Sequence, residues 1–396
     1  MKKTLCAATL TGLATLMLAA ASARAEIVTL PGGAVANYQQ SNGGQGATGT
    51  ISGSIQQGTT NTPINCTFDA VQGQLTGSPA CAQLLTGAAG AQTLRRIEKP
   101  IVALRTTAAS ALQSTANLRM FDDLVQRRIG AAFAIETQVG VQSGTSAAAP
   151  SGLGSWGYVG GSFIGDDRLG FEKSGHDMAA TVGVDHAGSN ALVGGYVGYL
   201  KSDIDLTSLQ GNLSSGGWTA GAYVTYLLGP VLSVSASGSY ADTSVDLART
   251  FAGAQVNSEY GHTEWSGSAT VNGNWRLGDA AAFTALTGLA YGTWRDDAYT
   301  DSRGISFDQA RGKNTWFKAG SILTLLSSPS FRPYATATYS RLLSPLGYNT
   351  GRDSLNVGGG VALVSGRFSG GLEVSTVLLQ PGQRNTSVGL NFRLAI

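Results

Sequence analysis

Charged residues are scarce in this chain, and long apolar runs are missing beyond its first 25 residues. Asp, Glu, Lys and Arg make up 13% of the 396 residues, with a net charge of +2, whereas a soluble globular protein averages about 25%. This balance supplies no basic face for nucleic acid. No later apolar run reaches the ~20 residues of a spanning helix, so a mature chain in a membrane would have to cross it as a closed β-barrel.

Residues that carry catalytic or metal chemistry are also few. The three histidines are His176, His186 and His262, and the sequence has no G-x-S-x-G, H-E-x-x-H or phosphate-binding Gly-Lys motif. Aspartates flank two of the histidines, but neighbours on a strand point to opposite faces. We predict no catalytic residue, no cofactor and no metal. Asp–His sites at the rim of some outer-membrane barrel proteases keep an enzyme as the weaker alternative.

The first 25 residues have the features of a secretory signal peptide. Two lysines precede an apolar stretch at 5–21, and Ala23 and Ala25 form a small-x-small cleavage site. The mature chain is therefore expected to begin at Glu26. Export makes the two remaining cysteines, Cys66 and Cys81, candidates for a disulfide. Metal binding and a reactive thiol are the alternatives, and no neighbouring histidine or second cysteine pair supports them.

Three segments with different compositions follow the signal peptide. Residues 26–91 are rich in Gly, Ser, Thr and Gln without a sustained period, which predicts a flexible or loosely folded segment tied by one disulfide. Residues 92–140 have helical spacing of apolar side chains, with arginines largely off the apolar stripe. Residues 141–154 are typical of a linker.

Strict alternation dominates the remainder, residues 155–396. In LSVSASGSY, residues 232–240, apolar side chains alternate with serines, so a strand there has one apolar face and one hydroxyl face. We count twelve such segments, connected by tight turns at one end and mostly long polar loops at the other, with aromatics near strand ends. This pattern favours a twelve-stranded antiparallel transmembrane β-barrel with two aromatic girdles. A soluble antiparallel sandwich is the alternative.

Residues 92–396 resemble the translocator β-domain of autotransporters, the type V secretion proteins. The resemblance rests on SWGYVGGSFIGDD, on MAATVGVDHAGSNALVGGYVGYLKSDIDL, on SVGLNFRLAI at the C-terminus and on the helix that precedes the strands. It implies an all-β barrel in the outer membrane of a Gram-negative bacterium, with that helix in the lumen. The segment before the helix is much shorter than the family's usual passenger, and the chain has no Asn-Asn pair for self-cleavage.

Two groups of residues follow from this interpretation. Val388, Leu390, Phe392, Leu394 and Ile396 form the apolar face of the last strand, which the barrel assembly machinery is expected to recognise. The arginines assigned to the lumen helix, whose charge suits a polar pore wall, are Arg105, Arg119, Arg127 and Arg128.

Two functions remain open at this point. In the first, the barrel carries residues 26–91 to the cell surface for adhesion or another surface interaction. In the second, it is a plugged pore or structural barrel without secretion activity, and the segment lies in the periplasm. The expected partners are outer-membrane lipid, the assembly machinery and an unidentified surface partner, with no nucleic acid, for a monomeric protein.

Overall fold

The structure is a computed structural model that describes most of the chain. It covers residues 24–29, 33–41, 48–69, 74–85, 152–166, 173–251, 253–326, 330–343, 352–379 and 382–396, together with residues 95, 96, 98, 99, 102, 103, 106, 107, 110 and 328. Outside this set lie Ala23 of the predicted cleavage site and the predicted lumen arginines, Arg105, Arg119, Arg127 and Arg128. Among the described residues, no helix has the length and apolarity needed to cross a membrane.

Twelve antiparallel strands close into a barrel, as the sequence predicts. Their bounds are β6 (Gly152–Asp166), β7 (Lys173–Ala187), β8 (Ala191–Leu206), β9 (Gly211–Leu227), β10 (Leu232–Phe251), β11 (Ala254–Leu277), β12 (Ala281–Asp296), β15 (Ala310–Leu325), β16 (Phe331–Leu342), β17 (Asp353–Ser365), β18 (Phe368–Leu378) and β19 (Gln383–Ala395). The last strand pairs with β18 and with β6, from Gln383 opposite Asp166 to Ala395 opposite Gly154. The closed ladder leaves no free edge.

The strands β8 to β11 run further than the sequence predicts. Most of the sequence of the expected long loops around 203–215 and 242–260 is instead paired strand, with a 3-10 turn at Thr207–Leu209 between β8 and β9. The pairing of β10 with β11 continues until Phe251 lies opposite Ala254. The reason is that alternation persists there, with apolar residues replacing serines on the inward face. Because β11 has 24 residues and a tilted strand crosses the hydrocarbon in ~9–11, these strands project well beyond a bilayer. We call this side of the barrel the extended end and the opposite side the short-turn end.

A small hairpin, β13 (Tyr299–Thr300) and β14 (Ser306–Phe307), lies in the connection from β12 to β15 at the extended end. The sequence interpretation treated this connection as an irregular polar loop. Its aromatic rings stack, with the Tyr299 and Phe307 centroids 4.7 Å apart. The hairpin therefore adds a packed element above the barrel wall.

The serines of LSVSASGSY point inward, and the apolar residues point outward, as predicted. Leu232 is 46% exposed, whereas Ser233 is fully buried and Ser235 is 6% exposed. The serines bond to polar neighbours on adjacent strands: Ser235 accepts from Asn272 at 3.2 Å, and the hydroxyls of Ser237 and Ser268 lie 2.9 Å apart. Several of these inward hydroxyls thus bond to polar side chains across the strands, while the buried Ser233 hydroxyl has no hydrogen-bond partner among the described residues.

This alternation predicts opposite outcomes for arginine at two adjacent positions. Ala236 faces outward, midway between Leu232 and Tyr240, so Ala236→Arg should cost roughly 2–4 kcal/mol of folding free energy in a bilayer. Ser237 faces the polar interior, so Ser237→Arg loses one hydroxyl hydrogen bond and should cost about 1 kcal/mol of folding free energy. Urea titration of the barrel refolded into vesicles measures both values. Equal losses at the two positions would contradict the assignment of faces.

The aromatic residues divide between the two faces, which corrects the prediction that they all form girdles. Outward-facing rings include Trp218, Tyr226, Trp265, Trp275 and Tyr291, each at least 43% exposed. The rings of Trp156, Tyr158, Trp294 and Trp316 are instead buried inside the barrel. Proximity to a strand end was the signal used for the girdles, whereas the position of each residue within the alternation decides which face its side chain takes.

The described residues between 24 and 85 form a folded unit rather than the flexible or loosely folded segment that the composition predicts. Its five-stranded antiparallel sheet has the order β1-β2-β3-β4-β5. The strands are β1 (Arg24–Thr29), β2 (Val35–Ser41), β3 (Thr48–Gln57), β4 (Thr60–Asp69) and β5 (Gln74–Gly77), followed by a 3-10 helix at Pro79–Leu85. We call these elements the N-terminal domain. Ala25 and Glu26 of the predicted cleavage site lie in β1.

The disulfide between Cys66 and Cys81 joins β4 to the 3-10 helix, with the two Cα atoms 5.8 Å apart. Both cysteines are buried, and a loop of this length contributes roughly 3 kcal/mol through the unfolded state. Gly77 is required beside it: its φ is +129°, and an added Cβ would lie 2.3 Å from the Asn65 carbonyl oxygen. The disulfide thereby fixes the end of a domain that has few apolar residues.

Candidate functional site at the extended end

The inward faces of β8 to β11 become apolar beyond the serine-lined wall. Nine side chains on these strands and on the 3-10 turn between β8 and β9 belong to one buried cluster. We call them the mouth cluster, and they are Ile204, Leu206, Leu209, Leu213, Val245, Leu247, Phe251, Val256 and Tyr260. An apolar inner surface above a polar lumen needs a covering partner, since burial of one such side chain is worth roughly 1.5–3 kcal/mol.

The N-terminal domain covers the mouth cluster. Alternate residues of β3 and β4 point to one face, where Ile51, Ile55, Ile64 and Phe68 are at most 3% exposed. They belong to the same buried core as the mouth cluster, and the Phe68 and Phe251 ring centroids lie 6.4 Å apart. A single apolar core is therefore shared between the N-terminal domain and the barrel, so neither surface faces water.

Described helical residues between 95 and 110 lie against the same end of the barrel. Glu98, Val102, Thr106 and Ser110 are spaced by four and are each at most 5% exposed, as expected for one buried helix face. Val102 packs with residues of the β13–β14 hairpin. Thr106 donates its hydroxyl hydrogen to the Val102 carbonyl, 3.1 Å away. This placement fits a helix that enters the barrel from the extended end, while its path further along the chain lies outside the described residues.

A buried ion cluster joins this helical segment to the barrel. Arg249 projects inward from the end of β10 and forms ion pairs with Glu98 and with Asp301, the latter at 2.7 Å. Arg303 forms a second ion pair with Glu98, and its guanidinium lies 3.7 Å above the Phe251 ring. The two arginines and the two carboxylates give the cluster no net charge. Removing one partner of such a buried set leaves an uncompensated charge at a cost of about 3–5 kcal/mol.

The hairpin tyrosine beside this cluster is protonated at any physiological pH. Burial raises the pKa of the Tyr299 hydroxyl to about 12. Its ring stacks between those of Tyr260 and Phe307, with both centroid distances at 4.7 Å. Tyr299 therefore adds no charge beside the ion cluster across the neutral range.

Polar and charged side chains line the barrel below the mouth cluster. Asp185 accepts hydrogen bonds from the Tyr223 hydroxyl at 3.1 Å and from Arg393 at 3.5 Å. Asp177 accepts bonds from the hydroxyls of Ser162 and Ser202. A polar interior behind an apolar outer face is the arrangement of an outer-membrane barrel.

One histidine–aspartate pair is buried near the mouth. The register places His262 directly opposite Asp296, and their Nδ1 and Oδ1 atoms lie 2.6 Å apart. The ring also stacks on Trp294, with centroids 6.1 Å apart. Within the described part of the chain, His262 Nε2 has no hydrogen-bond partner, and no group of three metal-ligating side chains occurs. A covalent mechanism would need a nucleophile bonded to the ring, and the described residues place none there.

The predicted C-terminal face has the expected orientation. Val388, Leu390, Phe392, Leu394 and Ile396 are 40–68% exposed on the outer surface of the barrel. Recognition of this face by the assembly machinery stays a prediction.

The residues that join the barrel to the preceding segments were missed from the sequence. Arg249 and Glu98 are separated by 151 positions, and no local pattern relates them. The alternation along β10 could have indicated that Arg249 faces inward, because its odd number places it on the same face as the inward serines.

The closed strands, apolar exterior and polar lumen define a transmembrane β-barrel of the outer-membrane type. The autotransporter β-domain family model matches residues 151–378, more than half of the chain. The chain therefore belongs to the autotransporter β-domain family, as the sequence resemblance implies, and such domains sit in the Gram-negative outer membrane. No curated protein sequence matches this chain.

Two solved autotransporter barrels have a similar fold. The translocator domain of NalP from Neisseria meningitidis has a TM-score of 0.58 at 18% identity, with 70% of this chain and 96% of that chain covered. The β domain of BrkA from Bordetella has a TM-score of 0.53 at 15% identity, with 62% of this chain and all of that chain covered. At these identities the likeness concerns the fold alone.

Proposed function

We propose that the barrel carries its own N-terminal domain to the cell surface and retains it there as a folded cap on the extended end. The observation that carries this proposal is the apolar core shared by the mouth cluster and the N-terminal domain. A passenger destined for release would have no need of a matching surface on the inside of four extended strands. In this orientation the short turns face the periplasm.

The outer face of the N-terminal domain supports a role in surface interaction. Most exposed side chains on the strand face opposite the shared core are amides and hydroxyls, among them Asn37, Ser52, Gln56, Asn65 and Thr67. Asp69 is the one charged residue of β3 and β4. Such a face offers many donors and acceptors with little net charge, which suits a neutral hydrogen-bonding partner better than a polyanion or polycation.

The second candidate is a plugged pore without secretion activity. It is supported by the same packing of the N-terminal domain on the mouth cluster. A domain seated on the mouth cluster covers one opening of the barrel. In that case the N-terminal domain is a permanent plug. The two candidates differ in whether its outer face is in contact with the external medium.

An epitope inserted between Gly58 and Thr59 tests the proposal. This turn joins β3 to β4, is exposed, and has open space around Gly58. We expect antibody to label intact cells. The matched control carries the same epitope between Gly366 and Arg367, in the tight turn between β17 and β18 at the short-turn end, and should be labelled only after the outer membrane is permeabilised. Labelling of the first site only after permeabilisation would overturn surface display.

A further inference from the structure

Two arginines lie directly opposite each other on the outside of the barrel. The register of β12 and β15 pairs Arg295 with Arg311, and both side chains are exposed on the outward face. Like charges in directly opposed positions destabilise a sheet. Lys313 lies on the same face of β15, two residues from Arg311. We call Arg295, Arg311 and Lys313 the basic patch.

The basic patch lies at the border of the outward aromatic residues. Pairing across four strands places Tyr240, Trp265, Thr293 and Lys313 in one row, with the Tyr240 and Trp265 ring centroids 4.7 Å apart. Arg295 and Arg311 lie in the next row toward the extended end. Aromatic rings mark the headgroup level of a bilayer, so the two guanidinium groups lie just beyond that level.

Basic residues follow outward tyrosines at two other places on the barrel wall. Lys201 lies two residues from Tyr199 on β8, and Arg341 lies two residues from Tyr339 on β16, in each case toward the extended end. Aspartates compensate both: Asp203 lies 3.4 Å from Lys201, and Asp353 lies 3.9 Å from Arg341. The basic patch differs from these pairs in its density of positive charge.

The protein balances only part of the charge of the basic patch. Asp297 lies 3.2 Å from Arg295, with both side chains 47% exposed. Arg311 donates to the Gln309 side-chain oxygen, a neutral acceptor, with Nε at 2.8 Å. The patch thus holds three positive groups against two carboxylates, Asp297 beside Arg295 and Asp242 two strands away in the same outward row. A guanidinium with a neutral partner keeps donors and charge available for an anion.

We propose that the basic patch binds the phosphate groups of the glycolipid in the outer leaflet of the outer membrane. Paired guanidinium groups match phosphate geometry through charge-assisted bonds. The height of the patch matches the level at which lipid phosphates lie next to an aromatic belt. A phosphate between Arg295 and Arg311 relieves the repulsion that the sheet register imposes. The proposal rests on the orientation given above, in which the extended end faces outward.

Binding of purified lipopolysaccharide to the full-length protein in detergent tests this site without depending on orientation in cells. We expect the double variant Arg311→Gln with Lys313→Gln to raise the apparent Kd at least about tenfold, because it removes two charge-assisted contacts. Arg367→Gln, which removes one positive charge at the short-turn end, is the control and should leave the Kd within threefold. An equal effect of both variants would overturn the proposal.

Two further probes identify the source of the phosphate. Dephosphorylated lipopolysaccharide should bind the wild-type protein about as weakly as intact lipopolysaccharide binds the double variant. Phosphatidylglycerol should bind at least tenfold more weakly than lipopolysaccharide, since it presents a single phosphate. Equal binding of phosphatidylglycerol, or undiminished binding of the dephosphorylated glycolipid, would overturn the assignment.

A stability measurement separates this role from a structural one. Without lipid, the double variant should unfold at the same or a higher urea concentration than the wild type, because like-charge repulsion is removed. Added lipopolysaccharide should stabilise the wild type and not the variant. A variant that is destabilised without lipid would show that these side chains hold the barrel together instead.

Discussion

Deletion of Phe392 through Ile396 should abolish assembly of the barrel. Residues 392–395 form the end of β19, which pairs with both β18 and β6, and Ile396 follows it, so one deletion breaks two ladders at once. Each backbone group left unpaired in hydrocarbon costs several kcal/mol. The deletion also removes Arg393, whose guanidinium lies 3.5 Å from Asp185 inside the barrel. We expect no heat-modifiable band in unboiled detergent gels and degradation of the protein in the periplasm.

Adjacent aspartate substitutions provide the control for this truncation. Leu390 is 56% exposed on the outer face, so Leu390→Asp places a carboxylate against lipid and should strongly lower the amount of assembled barrel. Asn391 faces the polar interior one residue later, and Asn391→Asp should have a much smaller effect. Normal assembly of the truncated chain would show that β19 is dispensable for closure.

Much of the barrel was predictable because a membrane leaves few solutions for a chain of this composition. Alternation in segments such as 232–240 fixes which face is apolar, and hydrocarbon excludes open sheets. The same alternation from Val388 to Ile396 predicted the last strand of the barrel. The missed strand extensions at 203–215 and 242–260 alternate too, but their polar outward residues gave them the composition of loops.

The N-terminal domain could not be predicted in the same way. Its apolar side chains alternate only over short stretches, such as Ile64, Cys66 and Phe68, among many Gly, Ser and Thr residues. Taken alone, these residues are too few to indicate a core. The missing part of that core lies more than 100 positions away in Val245, Leu247 and Phe251, and such a pairing leaves no trace in local composition.

The shared core also bears on whether ions can pass through the barrel. Eight strands already make an interior just wide enough for side chains, so twelve leave additional space. A helix of about 10–12 Å diameter would occupy a space of that kind. The described helical residues Glu98, Val102, Thr106 and Ser110 are buried at the extended end, where Glu98 pairs with Arg249, and the N-terminal domain lies across the mouth. The lumen helix over residues 92–140 stays a prediction, and conductance measurements decide whether it or the domain above it closes the pore.

Deletion of residues 26–140 should raise the single-channel conductance in planar bilayers several-fold while the barrel still assembles. Deletion of residues 26–91 alone shows which of the two segments, the N-terminal domain or residues 92–140, closes the pore. If residues 92–140 fill the lumen, this shorter deletion should keep the conductance near the full-length value. If the N-terminal domain closes the mouth by itself, the shorter deletion should reach the conductance of the longer one. An assembled barrel without residues 26–140 that conducts no better than the full-length protein would show that neither segment closes the pore.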